Sequence, residues 1–172
     1  MEQTTIGPRR RATGAVKYWE DLRNPEPHRF GPLTFTSELL DQLLDLLGEK
    51  HPIHSSDSFA QSTERKKRIV PGGFIHSITS GWIVQHSRSP VAIVGLRSMH
   101  WDFVRPLYPD IPFYFTNETV NSEEIDERLG MLNTVRRVVD EEGRAYAIGR
   151  MSVVMKRRPA VSVSDPSVPD NE

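Results

Sequence analysis

Pro71 opens a mostly apolar stretch, Gly72-Gly-Phe-Ile-His-Ser-Ile-Thr-Ser-Gly-Trp-Ile-Val-Gln-His86, after which the chain changes period. Proline suits the first turn of a helix, where no amide donor is lost, so this stretch reads as one helix, apolar on several sides and expected to be buried. Behind it follow β-rich runs at Val91–Leu96, Met99–Val104, Ile111–Thr116, Met131–Val139 and Ala145–Met155. Turn signals separate them at Arg105-Pro106, Pro109-Asp110 and Glu142-Gly143. One buried helix early and a meander of antiparallel strands later is an α+β pattern in which a sheet packs around that helix.

Upstream, Leu33-Thr-Phe-Thr36 alternates like a short strand. Thr36 or Ser37 can cap a helix whose apolar residues Leu39, Leu43, Leu46 and Leu47 follow the helical period. Gly48 then ends it, because glycine just past the last periodic residue takes the left-handed conformation at little cost. Glu49 to His54 should therefore be an ordered turn, stiffened by Pro52, that holds an acid and a histidine five residues apart.

A chain of 172 residues fits one domain. The 22 basic and 23 acidic side chains nearly cancel, so no global field recruits nucleic acid or an anionic membrane. Without cysteine there is no disulfide, no thiolate nucleophile and no cysteine-bound zinc or iron–sulfur cluster, and a reducing cytoplasm is a consistent setting. No apolar run approaches the ~20 residues needed to span a bilayer, and a soluble, cytoplasmic protein is expected. Residues 1–14 and the Pro- and Ser-containing tail 159–172 are expected to be flexible, leaving 15–158 as the domain.

Taken together, Gly48-Glu-Lys-His-Pro-Ile-His54, Phe59-Ala60, Ile69-Val-Pro-Gly72 and Ser80-Gly81 resemble the signature of the MaoC-like, or R-specific enoyl-thioester hydratase, family. That signature reads Gly-Asp-x-Asn-Pro-[Leu/Ile]-His, then Phe-Ala, then Ile-Val-His-Gly opening a helix that carries Ser-Gly. Phe103-Val-Arg-Pro106 is similar to its later Phe-x-x-Pro strand. Here Glu49 replaces the Asp, His51 the Asn and Pro71 the His before glycine. The resemblance runs from about Tyr18 to Met155 and implies a hot-dog fold, a homodimer, and hydration of enoyl thioesters or the reverse dehydration, in fatty acid or polyketide metabolism. It implies no cofactor beyond coenzyme A or an acyl carrier within the substrate.

Carried over, Glu49 and His54 are the acid/base pair, and such positioned groups supply roughly 10²–10⁴-fold each. Backbone amides at the start of the helix, at Gly72 and Gly73, would stabilise the enolate-like oxygen, since unpaired donors and the helix dipole point there. Glycine at 72 also lets a thioester approach the backbone, or simply allows tight helix–sheet packing. Ser80 lies eight residues beyond Gly72, on nearly the same face, and either orients substrate or bonds back to the preceding turn. His76, on the same stripe, is not supplied by the family motif and reads as a satisfied core histidine or a second titrating group. His51 brings a titrating ring where the family has an amide.

His51, His54 and Glu49 could suggest a metal, but the resemblance implies none. The charged run Glu64-Arg-Lys-Lys-Arg68 is a candidate for coenzyme A phosphates or an acidic carrier protein, or a solvated loop. Nucleic-acid binding has no supporting motif. Two other readings keep the fold: a non-catalytic acyl-binding or partner subunit, and a thioesterase in which a carboxylate directs water at the carbonyl carbon.

Overall fold

The computed structural model describes residues 13–25, 28–87 and 89–159; residues 1–12 and 160–172, where flexible termini are expected, lie outside the described residues. Thr36 accepts the Leu39 amide at 3.1 Å and caps helix α2 (Ser37–Leu47). Gly48, at φ 67°, closes it. The buried stripe of α2 sits one position away from the expected one. Leu40 and Leu44 are the fully buried residues, Leu39 and Leu43 are half-buried, and Leu46 and Leu47 are exposed, because the last turn runs past the edge of the core. Burying Leu40 and Leu44 contributes about 2 kcal/mol each.

The ordered turn expected at Glu49 to His54 leads into a short helix, α3 (Pro52–Ser55), and a second, α4 (Asp57–Ser62), follows it. Helix α5 (Gly72–His86) begins directly after Pro71, as its proline predicts. A further short helix, α1 (Trp19–Leu22), buries Trp19 against Leu132 and Met155 in a satellite core.

Five strands form one antiparallel sheet in the order β1-β3-β4-β5-β2, with β1 His28–Thr34, β2 Ile93–Phe103, β3 Pro112–Glu124, β4 Leu129–Val139 and β5 Ala145–Lys156. The runs expected at Val91–Leu96 and Met99–Val104 are one strand, with a register irregularity between Leu96 and Ser98. Strand β3 continues past Thr116 through a polar half that the hydrophobic pattern does not reveal.

Helix α5 lies on the sheet through Ile75, with Phe74, Ile78, Trp82 and Ile83 packed against a core that includes Phe113, Phe115, Val138 and Ala147. Burial on several sides, expected from its composition, is not what the chain shows. Ile75 and Thr79 are its buried residues, and Val84 is 72% exposed, because a single sheet covers one side of a helix only. Across the sheet, Asn117, Arg136, Gly149 and Trp101 pair in register and so share the face turned to α5.

Candidate active site

The chain turns at Gly48 and starts α3 with His51 as its cap: the His51 Nδ1 accepts the Ile53 amide at 3.3 Å. Glu49 folds back so that its Oε1 accepts the His51 amide at 2.8 Å, which leaves its second carboxylate oxygen unengaged by the described residues. The replacement of the family's Asn by His51 thus gives a capping side chain whose ring lies 5.9 Å from that of His54.

His54 occupies the last turn of α3, half-buried, with Nδ1 2.7 Å from the carbonyl oxygen of Ile69. A carbonyl only accepts, so Nδ1 carries a proton, and in the neutral form of the ring Nε2 is the nitrogen that presents a lone pair. The Ile69 amide in turn donates to the Ile53 carbonyl at 3.2 Å. Two backbone points therefore join the loop to the segment three residues before Gly72, and His54 is held beside the start of α5.

Arg68 locks this arrangement from below. Its guanidinium is ion-paired with Asp41 of α2 and, at 3.0 Å, with Asp57 of α4, and reaches the His54 carbonyl at 3.5 Å. Hydrogen bonding to Asp41 is the main influence holding its pKa above the ordinary arginine value. This residue is therefore not available to an incoming phosphate, in contrast to its reading as part of a basic docking run. Lys66 and Lys67 remain exposed and line an open cleft of about 410 Å³ shared with Asp57, Gln61 and Asp110.

Gly72 and Gly73 begin α5, where amides have no intrahelical acceptor. The close approach that glycine permits at position 72 is taken by the protein itself: a Cβ there would overlap the ring of Phe103. Gly73 faces open space. Glycine at 72 thus serves tight packing against β2, and Gly73 is the more exposed residue of the two.

Ser80 is not bonded back to its own helix. Its Oγ accepts Arg136 Nη1 at 2.8 Å, while Thr79 accepts the same nitrogen at 3.0 Å and donates to the Ile75 carbonyl at 2.8 Å. Nor is His76 a satisfied core histidine, because its Nδ1 is buried without a partner. Burial first and the Arg136 charge second depress its pKa and keep the ring neutral. Glu49, His51 and His54 thus share one loop, tied through His54 and Ile53 to Ile69, three residues before α5 begins, and His76 and Ser80 lie further along that helix.

Arg136 escaped the sequence reading, and Arg68 was read only as part of the basic run. A signal existed for Arg136: in Leu132-Asn-Thr-Val-Arg-Arg-Val138 it alternates with Leu132, Thr134 and Val138, which places it on the inward face.

No family model matches the chain, and no curated protein matches it either. Solved structures do. A monoamine oxidase regulatory protein from Archaeoglobus fulgidus is similar with a TM-score of 0.77 and 21% identity, over 85% of this chain and 98% of that one. A MaoC-like dehydratase from Rhodospirillum rubrum gives 0.71 at 16% identity, over 84% and 99%. The chain has the hot-dog fold. The R-hydratase PhaJ1 from Pseudomonas aeruginosa, with a TM-score of 0.61 at 16% identity over 83% and 91%, shares that hot-dog fold. In this frame α5 is the helix that the sheet wraps, and Glu49 and His54 sit on the segment that leads into it.

Proposed function

We propose that the chain is a MaoC-like hydro-lyase that adds water across the double bond of a trans-2-enoyl thioester, or removes it from the 3-hydroxyacyl thioester. The observation that carries this reading is the His54–Ile69 hydrogen bond, which leaves Nε2 available as a base on the loop tied to the segment leading into α5. Water held between Nε2 and the free oxygen of Glu49 gives a proton to Nε2 while its oxygen bonds to C3. The double-bond electrons move toward the thioester carbonyl, whose developing negative charge meets the Gly72 and Gly73 amides. The proton on Nε2 then passes to C2, so atoms and charge balance.

Lys66 and Lys67, beside the cleft next to α4, are the groups proposed to meet coenzyme A phosphates or an acidic carrier. A homodimer is also proposed, since edge strand β2 leaves apolar side chains exposed at Ile93, Val94, Leu96 and Met99 beside an open sheet edge, which pairing across a two-fold axis would cover. The setting proposed is the cytoplasm.

The test is loss of enoyl-thioester absorbance with a panel of enoyl-coenzyme A substrates, comparing wild type with Glu49→Ala and His54→Ala at matched folding. Hydration by wild type and a fall of at least ~10²-fold in each variant supports the acid/base pair. An inert wild type sinks the reading. It would favour a non-catalytic partner or regulatory subunit, in keeping with the similarity to the Archaeoglobus fulgidus regulatory protein.

A further inference from the structure

Between α5 and the sheet, an otherwise apolar interface carries one polar seam. Arg136 is 6% exposed, and its contacts among the described residues are neutral: Asn117 Oδ1 at 3.2 Å from Nε, and Thr79 and Ser80 from Nη1. Among those residues no carboxylate forms an ion pair with it and nothing engages Nη2. Burial lowers its pKa to about 10. A buried cation without a counter-charge is costly unless something pairs with it.

Two buried polar atoms lie at the same seam without partners, Trp101 Nε1 and His76 Nδ1, on rings 5.7 Å apart. Trp101 reaches inward because Gly149 vacates the space beside it; a Cβ there would come within 2.6 Å of the indole. Since Ser80 Oγ already accepts from Arg136, its own proton is free to donate. Guanidinium Nη2, indole N–H and serine O–H are three donors lacking an acceptor, beside a positive charge.

The seam is within reach of the candidate active site. Gly72, His76 and Ser80 share one stripe of α5, each half-buried, whereas Ile75 and Thr79 beside them are sealed. Ser80 lies about 12 Å along the helix from Gly72, at 1.5 Å per residue. The half-exposed Phe103 ring covers the start of this stripe at Gly72, so an acyl chain that displaced it, with its carbonyl at the helix start and its tail along the stripe, would end at these donors.

We propose that Arg136, Ser80 and Trp101 receive a carboxylate at the far end of the acyl chain, making the substrate a thioester of a dicarboxylic acid. The proposal rests on the thioester reading above for where the chain begins.

Calorimetric titration of the whole chain with saturated ω-carboxyacyl-coenzyme A thioesters, against methyl-ended thioesters of matched length, tests it across a length series. At the favoured length the carboxylate-ended ligand is expected to bind at least ~10-fold tighter, as a charge-assisted pair predicts. Arg136→Gln should bring the two ligands to parity, and Ser80→Ala should narrow the gap. Equal affinity in wild type at every length, no binding of either series, or an advantage that survives Arg136→Gln overturns the proposal. The wild-type comparison requires no variant to fold. Saturated thioesters cannot be hydrated, so the outcomes separate: enoyl hydration without tail preference removes the seam alone, and tail preference without hydration removes the hydratase reading alone.

Discussion

His54 Nδ1 lies 2.7 Å from the main-chain oxygen of Ile69, and this contact decides which ring nitrogen is free. His54→Ala is expected to lower kcat for enoyl hydration by at least ~10²-fold, with a stability loss near the ~1 kcal/mol of a single hydrogen bond. Nitrogen NMR of the wild-type ring should show a proton on Nδ1 and a bare Nε2. The opposite tautomer would remove the base from the mechanism.

Glu49 holds the His51 amide ahead of α3 and, in the proposed mechanism, holds the attacking water, and the two roles separate by substitution. Glu49→Gln retains an oxygen for the His51 amide and loses the charge, so melting should hold while kcat falls by roughly 10²-fold. Glu49→Asp restores the acid of the family pattern but withdraws it by one methylene. A loop adjusted to glutamate predicts a loss on the order of 10²-fold through misplacement, and a gain would show that the loop still fits aspartate.

Arg68 has a buried guanidinium whose partners Asp41 and Asp57 are themselves exposed. Arg68→Met should therefore cost about 2 kcal/mol, between the values for surface and buried pairs. Urea unfolding measures it. Because the same guanidinium reaches the His54 carbonyl, kcat should fall as well, and an unchanged kcat would show that the clamp does not aim the base.

Asp140 sits at the β4–β5 turn, where burial would raise its pKa, but the Arg144 amide and the guanidinia of Arg105 and Arg144 outweigh burial and hold it at about 2. Its folded value lies below the ordinary 3.8, so its stabilisation is complete above about pH 4 and is lost as pH falls toward 2. The urea midpoint of wild type should drop more steeply across that window than that of Asp140→Asn. Parallel curves would contradict the assignment.

Strand β2 ends the sheet with Leu96 48% exposed. If the homodimer forms there, light scattering should give a dimer for wild type and a shift toward monomer for Leu96→Lys, since an edge lysine resists strand addition. A monomeric wild type at working concentration would remove the dimer.

The elements set by local chemistry were legible in the sequence: the Thr36 cap, the Gly48 stop, the helix behind Pro71 and most of the strands. The polar end of β3 was not, because Asn117 to Glu124 is paired by its backbone and gives little hydrophobic alternation. The loop residues Glu49, His51 and His54 were singled out through the resemblance to a family motif, on a turn that Gly48 and Pro52 made legible. What held them was not, since Arg68 looks like one more charge in a basic run until Asp41 and Asp57 arrive from other helices. Ser80 and His76 were placed on the right stripe of α5. Their surroundings depend on Arg136, which comes from a strand more than fifty residues later.

The partner that aims His54 is a peptide oxygen, and a peptide oxygen is present whichever residue occupies position 69. The half-buried Ile69 side chain is therefore free to drift in size or shape, remodelling the wall next to the helix start, while the imidazole keeps its bearing. Reactivity and pocket shape are separately heritable at that position, so a lineage could change what it accepts there without first losing what it does.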